Sequence, residues 1–118
     1  MKDPAFHRWA RQEGVSDGAL CKAAEEIEDD LVDARLGGFL IKKRVARTGE
    51  GKRGGYRVIV AHKHASRPVF LHGFAKNEAD NISRQERQAL GRLGKVYLEY
   101  DEATIVEAVA LGKLIEVM

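Results

Sequence analysis

Apolar residues recur at helical spacing near the start of the chain and again in its last third, with strand-like runs between. Phe6, Trp9 and Ala10 mark one face of a helix from about Pro4 to Glu13. Proline suits a first turn, and Gly14 stands where a left-handed helix stop belongs. Ser16 caps a second helix with an apolar face of Leu20, Ala23, Ala24, Ile27 and Leu31, giving a helical segment over residues 4–31. So short a link predicts an antiparallel helical hairpin, closed by Gly37 and Gly38.

Three strands are predicted over residues 39–76. Phe39 to Arg47 is β-prone, and the glycine-rich stretch Thr48 to Gly55 reads as a hairpin loop with Lys52 and Arg53 at its tip. Tyr56 to His64 holds the apolar run Val58-Ile59-Val60-Ala61, which fits a central strand covered on both faces. From Pro68 to Lys76, Phe70, His72 and Phe74 alternate with Val69, Leu71 and Ala75. The last segment, 83–112, is helical. Ser83-x-x-Glu86 forms a capping box ahead of Leu90, Leu93, Val96 and Tyr97, and Asp101 caps a further helix through Leu111. Helices, then strands, then helices, without βαβ alternation, predict a single α+β domain over residues 1–118 built on an antiparallel meander.

Composition changes this picture in one respect. The formal charge of +2 hides a strong asymmetry. From Asp17 to Asp33, seven acidic residues stand against one lysine; from Lys42 to Lys63, eight basic residues stand against Glu50. The basic run falls on predicted strands, where alternate side chains share a face, so it implies a polyanionic partner. Apolar runs are too short for the roughly 20 residues of a membrane span, and no signal-peptide pattern opens the chain. Cys21 has no partner for an internal disulfide, so the expected location is the cytoplasm. No Cys/His pair has ligand spacing, and no metal or other cofactor is expected.

Three segments together resemble the RelE/HigB toxins of bacterial type II toxin–antitoxin systems. They are Gly37-Gly-Phe-Leu-Ile-Lys-Lys-Arg-Val-Ala-Arg47, Gly49-Glu-Gly-Lys-Arg-Gly-Gly-Tyr-Arg57 and Gly73-Phe-Ala-Lys-Asn-Glu-Ala-Asp-Asn-Ile82, in the family's order and spacing. The likeness covers about Phe6 to Tyr100. It implies the RelE-like toxin fold, a curved antiparallel sheet flanked by helices, and an mRNA endonuclease that often acts only on the ribosome. The implied partners are a cognate antitoxin, mRNA and the ribosome, with DNA met only through the antitoxin. Relatives of the same fold poison DNA gyrase instead, so a protein-binding toxin and an inactive RNA-binding relative stay open as alternatives. Relatives also open with a strand before the first helix. Met1 to Pro4 leaves little room for one, so an open sheet edge is expected for an antitoxin strand or a second copy in a homodimer.

Cleavage without a metal uses the neighbouring 2′-hydroxyl, and the site must move its proton and hold extra charge on the phosphate. Lysine and arginine suit the charge-holding role. Arg57, on the central strand, resembles the family arginine at the scissile phosphate, and Lys76 matches the basic residue closing the third strand. Lys42, Lys43 and Arg47 are candidates to hold RNA phosphates, although alternation puts Lys42 and Lys43 on opposite faces. Lys52 and Arg53 are candidate RNA or ribosome contacts. For proton transfer, His62 and Glu78 are the candidates. Histidine is the side-chain type suited to moving protons near neutral pH, and of His62, His64 and His72 the first two share a face with Tyr56, opposite Arg57. The tyrosine or histidine that many relatives carry after the third strand is missing from Asp80-Asn81-Ile82-Ser83.

Overall fold

Capping side chains fix where each helix starts. Asp3 accepts the Ala5 amide at 2.9 Å and opens α1 (Pro4–Glu13), which Gly14 ends at a φ of 73°. Ser16 accepts the Ala19 amide at 3.1 Å and opens α2 (Asp17–Glu28). That helix stops short of the expected end. Asp29 caps it and Asp30 turns the chain at a positive φ of 64°, leaving Leu31 57% exposed and off the apolar face assigned to it.

The computed structural model describes residues 1–47, 51–76 and 81–117, with the backbone alone described at 47 and 51–54. Its sheet has the order β1 (Ala34–Gly37), β2 (Leu40–Arg47), β3 (Gly51–Ala61), β4 (Val69–Ala75), every neighbour antiparallel. Two expectations are corrected here. A fourth strand, β1, precedes the three predicted, and Gly37 and Gly38 are the β1–β2 turn, with φ of 96° and 57° that suit glycine. The second correction concerns the glycine-rich stretch. Arg47 pairs with Gly51, so Lys52 and Arg53 lie on β3 and not at a loop tip. Glycine weakens a strand but leaves its backbone groups free to pair.

The sheet separates two apolar layers. On one face Ile41, Val45, Tyr56, Val58, Val60 and Phe70 pack under α1 and α2. On the other, Leu40, Ile59, Ala61 and Leu71 pack with Tyr97 of α3 (Arg84–Leu98) and Ala108 of α4 (Glu102–Ala110). The continuous apolar run of β3 thus sits between both layers, as expected of a doubly covered strand. Two glycines allow close seating. A Cβ on Gly73 would lie 2.2 Å from the Trp9 ring, and one on Gly94 would lie 2.9 Å from the Ala61 Cβ.

The outer edge of β4 is occupied near Phe70. The Phe70 amide donates to the Met1 carbonyl and the Asp3 amide to the Phe70 carbonyl, both at 2.9 Å. Lys2 and Ile115 exchange backbone bonds of 2.7 and 2.9 Å on the far side. Met1–Asp3 therefore fills that part of the edge expected to be open, because even three extended residues can complete a ladder between two neighbours.

Candidate nucleic-acid interface

The basic side chains sort by strand register. Arg44 of β2, Arg57 of β3 and Phe74 of β4 stand in one cross-strand row; Lys42, Ile59 and His72 stand in the next. Residues opposite each other share a face, and Leu40, Ile59 and Phe74 identify it as the α3/α4 face. Helix α3 covers only part of that face, over Leu40, Ala61 and Leu71. Lys42, Arg44, Arg57 and His72 occupy the rest of it.

Arg57 carries the strongest signal. Its Nη1 is buried and has no hydrogen-bond partner among the described residues. A buried guanidinium N–H left unpaired costs about 1–3 kcal/mol or more, since the ion loses water and gains nothing. Arg44 differs. Its Nε donates to Asp33 at 2.8 Å, so part of its charge is already answered. Lys42 has no acidic partner among the described residues, and neither has exposed Lys76, the first residue beyond β4.

Two predicted site residues fall elsewhere. Lys43 is only 5% exposed on the α1/α2 face, where its Nζ meets Glu26 of α2 at 3.2 Å. It neutralises part of the acidic helix and does not join Lys42. His62 lies just past β3, beside Glu28, Asp30 and Arg35, lining a cleft of about 410 Å³ between the end of α2 and the β1–β2 turn. Burial pushes its imidazole pKa below the usual value, against the opposing charge of Glu28. The structure does not bring it to Arg57. Glu78 lies outside the described residues, as do the side chains of Arg47, Lys52 and Arg53.

One contact was not foreseen. Glu86, in the first turn of α3, uses Oε1 to accept the Ser83 amide at 2.9 Å, while Ser83 Oγ accepts the Glu86 amide at 3.0 Å. Its other oxygen, Oε2, faces His72 Nε2 at 3.9 Å. The bonds from Ser83, backbone first, hold the Glu86 carboxyl below its usual range, with His72 adding to the effect. The capping box and the β4 alternation were both visible in the sequence; their meeting depends on where α3 docks. Among the described residues, no group of three or more His, Cys, Asp or Glu side chains is placed to hold a metal ion.

The sheet thus lies between two helical layers, and on its α3/α4 face Arg57 Nη1 and Lys42 have no partner among the described residues. The family model described as the RelE toxin of the RelE/RelB toxin–antitoxin system matches residues 1–117, and the chain belongs to that family. It is thereby the toxin of a toxin–antitoxin module, with a cognate antitoxin of RelB type as its partner. No curated protein matches the chain in sequence. Among the described residues no helix is long and apolar enough to cross a membrane.

Proposed function

We propose that this toxin is a metal-independent endoribonuclease of the cytoplasm that cuts mRNA on the ribosome, as its resemblance to the RelE/HigB toxins implies. The observation that carries the reading is the buried Nη1 of Arg57, which has no partner among the described residues and lies on one sheet face with Lys42. Such a group is satisfied by an oxyanion, and a phosphodiester supplies one at the place where cleavage adds charge.

In this reading Arg57 holds the non-bridging oxygens of the scissile phosphate, and Lys76 adds positive charge at the rim. The 2′-hydroxyl attacks phosphorus, the bond to the 5′ oxygen breaks, and a 2′,3′-cyclic phosphate and a 5′-hydroxyl result. Lys42 grips a neighbouring phosphate. Lys52, Arg53 and Arg47 are assigned to RNA or ribosomal contacts that add affinity without chemistry. Glu78 stays a candidate for proton transfer. His62 and Lys43 face the opposite side of the sheet from Arg57, so the reading gives them no part in the chemistry.

Mapping mRNA 5′ ends after induction, with and without active translation, tests this. New ends confined to translated messages, lost in Arg57→Ala and reduced in Lys76→Ala, are the expected result. Growth arrest with an unchanged 5′-end profile and DNA-damage signalling overturns it and points to a protein-binding toxin.

A further inference from the structure

We propose that His72 is the catalytic residue that takes the 2′-hydroxyl proton, and that Glu86 is the positioning residue that holds its imidazole. The inference rests on the endonuclease reading and names the missing proton acceptor within it.

The register places His72 in the row beside Arg57. Arg57 pairs with Phe74 and Ile59 with His72, so the two are diagonal neighbours on one face. Diagonal neighbours lie about 7–8 Å apart at Cα, within reach of one phosphodiester for an arginine and an imidazole. The His72 side chain is 36% exposed, so substrate can touch it. Its ring also tilts at 39° against the Phe74 ring, 6.1 Å between centroids, which limits how it turns.

Glu86 supplies what a lone surface histidine lacks. One carboxylate oxygen is committed to the Ser83 amide, and the capping geometry leaves the other toward His72 Nε2. At 3.9 Å this approach is longer than a hydrogen bond and becomes an ion pair only when the imidazole takes up a proton; contacts of this kind tighten once substrate is bound. With Nε2–H directed at Glu86, Nδ1 presents its lone pair to substrate. Among the described residues, the charged groups on His72's face are Glu86 from α3, Arg57 from β3 and, from β2, Lys42 across the same row and Arg44 across the next.

The step balances. The proton on the 2′-hydroxyl passes to Nδ1 as the oxygen bonds to phosphorus; the bond to the 5′ oxygen breaks, and that oxygen takes a proton from water. The imidazolium then returns its proton to solvent. Glu86 stays a carboxylate throughout, and its negative charge favours the imidazolium formed in the transition state.

The test is the pH dependence of cleavage by the purified protein, on ribosomes programmed with mRNA. His72→Ala is expected to lose about 100-fold or more in rate, in line with the usual scale of general-base removal, with RNA affinity within about twofold. Added imidazole is expected to restore part of that rate. Glu86→Gln keeps the capping box, because glutamine serves at that position, so the helix start is preserved. That variant is expected to move the acidic limb of the rate profile to lower pH. Wild-type rate in His72→Ala, while Arg57→Ala is inactive, overturns the proton-transfer assignment and leaves the endonuclease reading standing. A Glu86→Gln profile superimposable on wild type overturns the role of Glu86. Intact RNA with the wild-type protein overturns both readings.

Discussion

Single residues on one strand of this sheet carry opposite jobs. Lys42 and Lys43 are adjacent in sequence, yet one lies on the open cationic face and the other meets Glu26 behind the sheet. Alternation alone separates them, and that was legible. Which of the two stands clear of an acidic partner was not, because it depends on where acidic α2 docks. Lys42→Ala is expected to weaken RNA binding and lower the slope of log affinity against log salt by about one, the signature of one lost phosphate contact. Lys43→Met is expected to leave both unchanged. Its stability should also be near wild type, since replacing a largely buried lysine by an apolar residue of similar length removes a desolvated charge along with its attraction. Glu26→Ala, by contrast, leaves Lys43 buried beside an empty partner position, a loss on the order of 2 kcal/mol. Urea titrations of the variants and salt-dependent RNA binding check all three; parallel losses in Lys42→Ala and Lys43→Met would put the wrong lysine on RNA.

Among the elements, helices were read well and strands less so, and the reason is physical. A helix announces itself locally, through its cap and its stripe. Ser16, the Ser83–Glu86 box and Asp101 are all where the sequence placed them. Strand β1 is four residues long with an exposed Arg35, too short to show alternation, and β3 starts as early as Gly51 only because Arg47 of β2 lies alongside to pair with it. Helix α3 links the element to the candidate site, since its seat on the sheet decides whether Glu86 reaches His72. That seat is the Gly94–Ala61 approach. Gly94→Leu is expected to wedge the helix outward, costing roughly 1–3 kcal/mol in stability and lowering cleavage as well. Gly91→Ala is the matched control. Its new Cβ would meet Leu40 Cδ1 at 3.9 Å, ordinary contact, so the gain in helix propensity of about 1 kcal/mol should appear without loss of cleavage. Thermal melts and cleavage rates on the pair separate a displaced helix from a merely altered one.

At the scale of the whole molecule, one hydrogen bond ties the chain's beginning to its end. Tyr97 of α3 donates its hydroxyl to Asp3 at 2.5 Å, across a separation of 94 residues, while Asp3 also caps α1 through its other oxygen. No periodicity could have shown this, since it depends on Met1–Asp3 pairing with β4 and on α3 crossing the opposite face. Burial, then the bond and the negative charge of Asp3, push the Tyr97 phenol well above its ordinary value of 10.0. The sign of the consequence follows from which state holds the proton. Above about pH 10 the unfolded chain releases it and the folded chain keeps it, so the unfolded state binds fewer protons and stability falls as pH rises. Tyr97→Phe removes that dependence. It is also expected to cost about 1–3 kcal/mol at neutral pH, because the Asp3 oxygen loses its donor in a buried setting. Urea midpoints measured from pH 7 to 11 should therefore show two curves that converge, with wild type falling toward the variant on the alkaline side. Parallel curves would mean that Tyr97 and Asp3 do not hold the N-terminal segment to the sheet.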